Sequence, residues 1–79
     1  MDFNEIIADL STSTSIFIES GLSPNDAVTE AISTFIRELD AMISGNDHDE
    51  ATKVEMKKAI EDARTISKDS DLRRRVINS

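Results

Sequence analysis

Apolar residues recur at intervals of three and four along three stretches of the chain, the period of an amphipathic helix. In the first stretch Phe3, Ile6, Ile7, Leu10, Thr14, Phe17 and Ile18 share one face. Asp2 followed by Glu5 has the pattern of a capping box, which predicts helix one over about residues 3–20. Its middle, Ser11-Thr12-Ser13-Thr14-Ser15, is a poor helix former, because short hydroxyl side chains compete for the backbone and β-branching costs rotamer freedom. A strand ending near Ile7, with a loop through the Ser/Thr run, is the competing local reading.

Gly21-Leu22-Ser23-Pro24-Asn25-Asp26 is the clearest punctuation. Gly21 suits a left-handed C′ position, Ser23 an N-cap, Pro24 the first helical turn and Asp26 the N3 carboxylate. Ala27, Val28, Ala31, Ile32, Phe35, Ile36, Leu39, Met42 and Ile43 then follow at helical spacing, so helix two runs over about residues 24–44 and closes at Gly45. Asn46-Asp47-His48-Asp49-Glu50 is a polar loop in which Asp47 and Glu50 form a second capping box. It launches helix three, about residues 49–67, with Ala51, Val54, Met56, Ala59, Ile60, Ala63 and Ile66 as its apolar face. After Asp69, Ser70 is placed to cap a short turn over about residues 71–77 that carries Leu72, Val76 and Ile77, a tail expected to fray.

Two short loops make neighbouring helices antiparallel, and the expected fold is all-α: a single helical domain over residues 1–79, a three-helix bundle with a short C-terminal turn. The expected core, or self-association surface, comprises Phe3, Ile7, Leu10, Phe17, Ala31, Ile32, Phe35, Leu39, Ile60 and Ala63. With 79 residues, three phenylalanines, no tryptophan or tyrosine and many alanines, a monomeric core is thin. A homodimer through helix one or helix two is one remedy, and disulfides or thiolate zinc are not available because there is no cysteine.

Net charge is −7, unevenly spread. Residues 1–50 hold eleven acids against Arg37 alone, and residues 51–79 hold eight bases against five acids. That division favours packing of the third segment on the first two, or contact between copies. The candidate partner-contacting residues are Arg73, Arg74 and Arg75 in the basic cluster, and Glu38 and Asp40 in the acidic half. No interleaved aromatics accompany the arginines, so nucleic acid is not the expected partner. The N-terminal segment carries Asp2, Glu5 and Asp9 where a signal peptide needs bases, and no stretch has the length of apolar residues a membrane helix needs; the cytoplasm is the expected location, with no membrane contact.

Candidate chemistry is sparse. His48 with Asp47, Asp49 and Glu50 has the composition of a metal cluster, but adjacent residues cannot all point at one ion, and acids in a first helical turn complement its dipole. His48 is the only histidine, which leaves covalent catalysis without a base in a pocket. Both glycines stand at helix ends, so no phosphate-cradling loop is present. The expectation is a protein with no catalytic residues, no metal and no cofactor: a small acidic interaction module, adaptor or inhibitor that acts by binding another protein. Acids spread over the first half also admit mimicry of a DNA backbone, with a DNA-binding protein as the target.

Gly21-Leu22-Ser23-Pro24-Asn25-Asp26-Ala27-Val28 resembles the turn and second helix of ribbon-helix-helix antitoxins of the RelB/DinJ type. Lys58-Ala59-Ile60-Glu61-Asp62-Ala63-Arg64, followed by Asp69-Ser70-Asp71-Leu72, looks like the C-terminal helical stretch that such antitoxins wrap around their toxins. The resemblance covers about a third of the chain. It implies a dimer that binds operator DNA through a paired N-terminal ribbon and neutralises a toxin with its C-terminal helix. Residues 1–9 carry no base, whereas the family's ribbon reads DNA with outward basic residues.

Overall fold

The fold begins with an N-cap. In the computed structural model, which describes residues 1–45 and 47–79, the Asp2 carboxylate accepts from the Glu5 amide at 2.8 Å and opens α1, Phe3–Glu19. α1 runs unbroken through the Ser/Thr segment, so the strand-and-loop alternative does not hold and residues 3–9 form no ribbon strand. Tertiary burial outweighs local propensity here, since Ile6, Ile7 and Leu10 are buried together with Ser11 and Thr14. Two hydroxyls find backbone partners: Thr12 donates to the Ala8 carbonyl one turn back, and Ser11 donates to the carbonyl of Ser79, just past the last helical residue of the chain.

α1 ends in a Schellman motif. The Leu22 amide donates to Phe17 O and the Gly21 amide to Ile18 O, which requires Gly21 at φ +112°. A residue with a Cβ is strained at that angle, so this glycine is conformationally required. Ser23 then accepts from the Asp26 amide, Pro24 takes the first position, and α2, Pro24–Ser44, follows.

α3 spans Glu50–Lys68. Its N-cap is Asp49, whose carboxylate accepts from the Thr52 amide at 2.8 Å, and not the Asp47–Glu50 box read from sequence. Both registers satisfy the same pattern of an acid three residues before a polar one, and the backbone chooses the later. Asn46 of that loop lies outside the described residues.

The short helical turn read at about residues 71–77 is a nine-residue helix, α4, Ser70–Asn78, docked and not frayed; its cap is Asp69, which accepts from the Asp71 and Leu72 amides, and not Ser70, its first helical residue. Val76 is buried with the core, and Leu72 and Ile77 pack against it. Among the described residues the chain therefore forms four helices and no strand.

α1, α2 and α3 pack in sequence as antiparallel neighbours, and α4 packs on α1, with further contacts to α3 and α2. Ile7, Leu10, Ala31, Ile32, Ile60 and Ala63 are buried as expected, with Ile6, Ala27, Val28, Ala59 and Ile66 beside them. Phe3, Phe17, Phe35 and Leu39 pack on the edge of that core and stay partly exposed, which lowers what each contributes. Burial also falls along α2. Ala27, Val28, Ala31 and Ile32 are buried, Phe35, Ile36, Leu39 and Ile43 are half-buried, and Met42 is exposed. The molecule is elongated, 37 × 23 × 17 Å.

Candidate interaction surface

Where the stripe of α2 outruns its cover, a groove opens. One arm, about 420 Å³, lies between α1 and α2, with Asp9, Thr12 and Ser13 on one wall and Phe35, Glu38, Leu39 and Met42 on the other. A second arm, about 280 Å³, lies between α2 and α3 and is walled by Leu39, Met42, Thr52, Glu55, Met56 and Ala59. Met1, Leu39 and Met42 belong to both arms, so the two form one trough. All three methionines of the chain line it. α4 contributes no residue to either arm. Met1 is 51% and Met42 48% exposed, unusual for apolar side chains beside a core.

Methionine has three rotatable bonds and a polarizable sulfur, so it adapts its shape to whatever packs on it. A wall of methionines therefore suits a partner side chain better than it suits a rigid small molecule or the geometry of a reaction. The apolar stripes of helices two and three include Met42 and Met56. Met42 is exposed and Met56 half-buried, and both line the second arm.

The five partner-contacting candidates do not form one site. Glu38 stands on the rim of the first arm. Asp40, two residues on and so on another side of α2, belongs to a separate depression with Ile43, Lys57, Ile60, Glu61 and Arg64. Arg73 is a staple within the fold. Its guanidinium donates to Ser67 O at 3.2 Å, Asn25 O at 3.1 Å, Asn25 Oδ1 at 2.9 Å and Thr29 Oγ1 at 2.8 Å, tying α4 to the end of α3 and the first two turns of α2. Arg74 pairs with Asp71 at 3.3 Å on the surface, and Arg75 reaches Asn4 Oδ1 at 3.4 Å.

The opposite charges of the two halves are not spent on each other. Among the described residues the ion pairs are Lys58–Asp62, Arg64–Glu61 and Arg74–Asp71, each within one helix. Exposed local pairs contribute a few tenths of a kcal/mol, roughly 0.3 to 0.5 each. The carboxylates of α1 and α2 thus face solvent without a cation. In the α2–α3 connection, Asp49 sits below the ordinary carboxylate range because its charged form accepts from the Thr52 side chain and amide, with His48 adding a smaller attraction. That carboxylate is committed to a helix end. No helix among the described residues is long and apolar enough to cross a membrane. Compared with protein-family models, with characterised proteins and with solved structures, the chain matches none.

Proposed function

We propose that this chain is a protein-binding module, an adaptor or inhibitor that works by seating a segment of another protein in the methionine-lined trough. The observation that carries this reading is the incompletely covered apolar stripe of α2: half-buried Phe35 and Leu39 and exposed Met42 continue the helical pattern past buried Ala27 to Ile32. Leaving apolar surface open costs about 25 cal/mol per Å² in lost burial, and a domain this small has little stability to spare. A partner recovers that loss. The test is site-specific photo-crosslinking in cells that make the protein, with benzoylphenylalanine at Met42 and, separately, at Glu30 on an exposed face of α2. A discrete protein adduct from position 42 and none from position 30 supports the reading; no adduct from 42, or the same adducts from both, refutes it.

The uncompensated acids of α1 and α2 also favour the DNA-mimic reading, in which the same chain occupies a nucleic-acid-binding surface. Its mark is competition: DNA added in excess displaces the protein from its target, and Glu→Lys changes on α2 abolish the displacement.

A further inference from the structure

The charged side chains that line the trough are all acidic, and the cation among the lining residues is the N-terminal ammonium of Met1. Each helix that walls it places one carboxylate on the rim, Asp9 from α1, Glu38 from α2 and Glu55 from α3, and no lysine, arginine or histidine lines either arm. None of the three is in an ion pair among the described residues; Lys58, one turn beyond Glu55, is bonded to Asp62 instead. The depression around Asp40 contrasts with this, because there Lys57 and Arg64 accompany the acids. Adaptable apolar side chains beside a rim with three carboxylates against one terminal ammonium specify an occupant with apolar anchors and flanking bases.

Resting on the protein-binding reading above, we propose that the trough receives a basic amphipathic helix from another protein. Two arms meeting at Leu39 and Met42 fit two anchors on one face of such a helix, at i and i+4 or i+7, roughly 6 or 10 Å apart along its axis. Other occupants fail on charge or on anchors. A second copy docked trough to trough sets its own rim acids against Asp9, Glu38 and Glu55. α4 of a second copy brings three arginines, but Leu72, Val76 and Ile77 are already packed in its own core, so it has no anchor to offer. Anionic lipid and nucleic acid are repelled by the same rim.

The test uses the intact chain and three fluorescein-labelled peptides of roughly 18 residues, five helical turns. The first places leucines on one helical face and lysines elsewhere, the second replaces every lysine by glutamate, and the third scrambles the leucine positions of the first. Anisotropy at physiological salt is expected to give micromolar binding of the first, on the order of 10 μM, and binding at least about tenfold weaker for the other two. The double variant Glu38→Gln/Glu55→Gln is expected to weaken the first peptide about tenfold, and Glu19→Gln/Glu30→Gln, the same charge change away from the trough, less than about twofold. Circular dichroism confirms that both variants keep wild-type helicity, which exposed positions permit. Equal weakening by the two variants means that net charge alone attracts the peptide and overturns the proposal. Equal binding of the glutamate or scrambled peptide, or no binding of the first, also overturns it. A position-42 adduct with a protein that has no basic amphipathic segment overturns the proposal while the protein-binding reading stands, whereas absence of any position-42 adduct removes that reading itself.

Discussion

Val76→Ala measures whether the C-terminal helix belongs to the fold. Val76 is 1% exposed and joins the cluster of Ile6, Leu10, Val28 and Ile66. Truncation removes two methyl carbons, about 1.6 kcal/mol of transfer free energy at about 0.8 per carbon. The void adds on the order of 1 kcal/mol, and the better helix propensity of alanine returns a few tenths. The net loss is about 2 kcal/mol. For 79 residues, an unfolding entropy of about 2.1 cal/mol/K per residue gives about 0.17 kcal/mol/K, so Tm should fall by about 12 °C. Thermal unfolding followed by circular dichroism at 222 nm reads this directly. Arg74→Ala, a surface change on the same helix, is the control and should stay within about 0.5 kcal/mol of wild type. A Val76→Ala drop below about 3 °C refutes the reasoning, because it would mean that α4 is undocked in solution and that Val76 already meets water.

Other perturbations probe single contacts. Thr14 is buried with its hydroxyl oxygen lacking a hydrogen-bond partner, so Thr14→Val should raise stability by about 1 kcal/mol in chemical denaturation; a loss of that size would show that the hydroxyl is satisfied. Arg73→Lys keeps the charge and discards the planar fork that holds Ser67, Asn25 and Thr29; a loss of about 1 to 2 kcal/mol is expected, and neutrality in urea melts would count against the staple. Phe35→Ala removes an edge side chain, so its cost should fall below the roughly 3 to 5 kcal/mol of a fully buried phenylalanine. Asp49 has a lowered folded pKa, so its contribution is complete above the unfolded value of 3.8 and fades as pH falls through the folded value. Amide exchange at Thr52 should accelerate, relative to the middle of α3, only in that acid range, and Asp49→Asn should flatten the dependence.

Local signals were legible where one residue type does one physical job. Gly21 at a left-handed C′ position, Pro24 in a first turn and Ser23 as a cap each follow from backbone chemistry alone, and the structure has all three. Reading failed where two registers satisfy one rule, as with Asp47 against Asp49, or where stability is not local. A nine-residue helix is shorter than the roughly 12 to 15 residues that hold together alone in water, so local propensity in residues 70–78 does not by itself sustain α4. What announces it is Leu72 and Val76 at i and i+4, a stripe without a partner until the rest of the core is in place. Arg73 carried a similar signal, because it precedes Ile77 by four residues and so flanks that stripe. Three arginines in a row read as one solvated cluster, yet successive positions on a helix point about 100° apart, and only one of them can turn inward.

The trough was illegible for a related reason. Periodicity tells which face of α2 is apolar; it does not tell how much of that face the neighbours cover. Coverage depends on side-chain size at the helix contacts, since interaxial distances range over roughly 8 to 10 Å with the residues that meet there. Ala27 and Ala31 on α2, with Ala63 on α3, are small and buried, whereas the larger Phe35, Leu39 and Met42 line the trough. The opening is thus written in a gradient of residue size along a stripe of constant hydrophobicity. The rim follows the same logic in charge: Asp9, Glu38 and Glu55 come from three helices and converge only once those helices are packed. Buried alanines at one end and a methionine-lined trough at the other belong to one packing arrangement. Bulk at buried Ala31 would strain the core, whereas exposed Met42 and half-buried Met56 line the trough, so substitutions there change its shape at less cost to the fold.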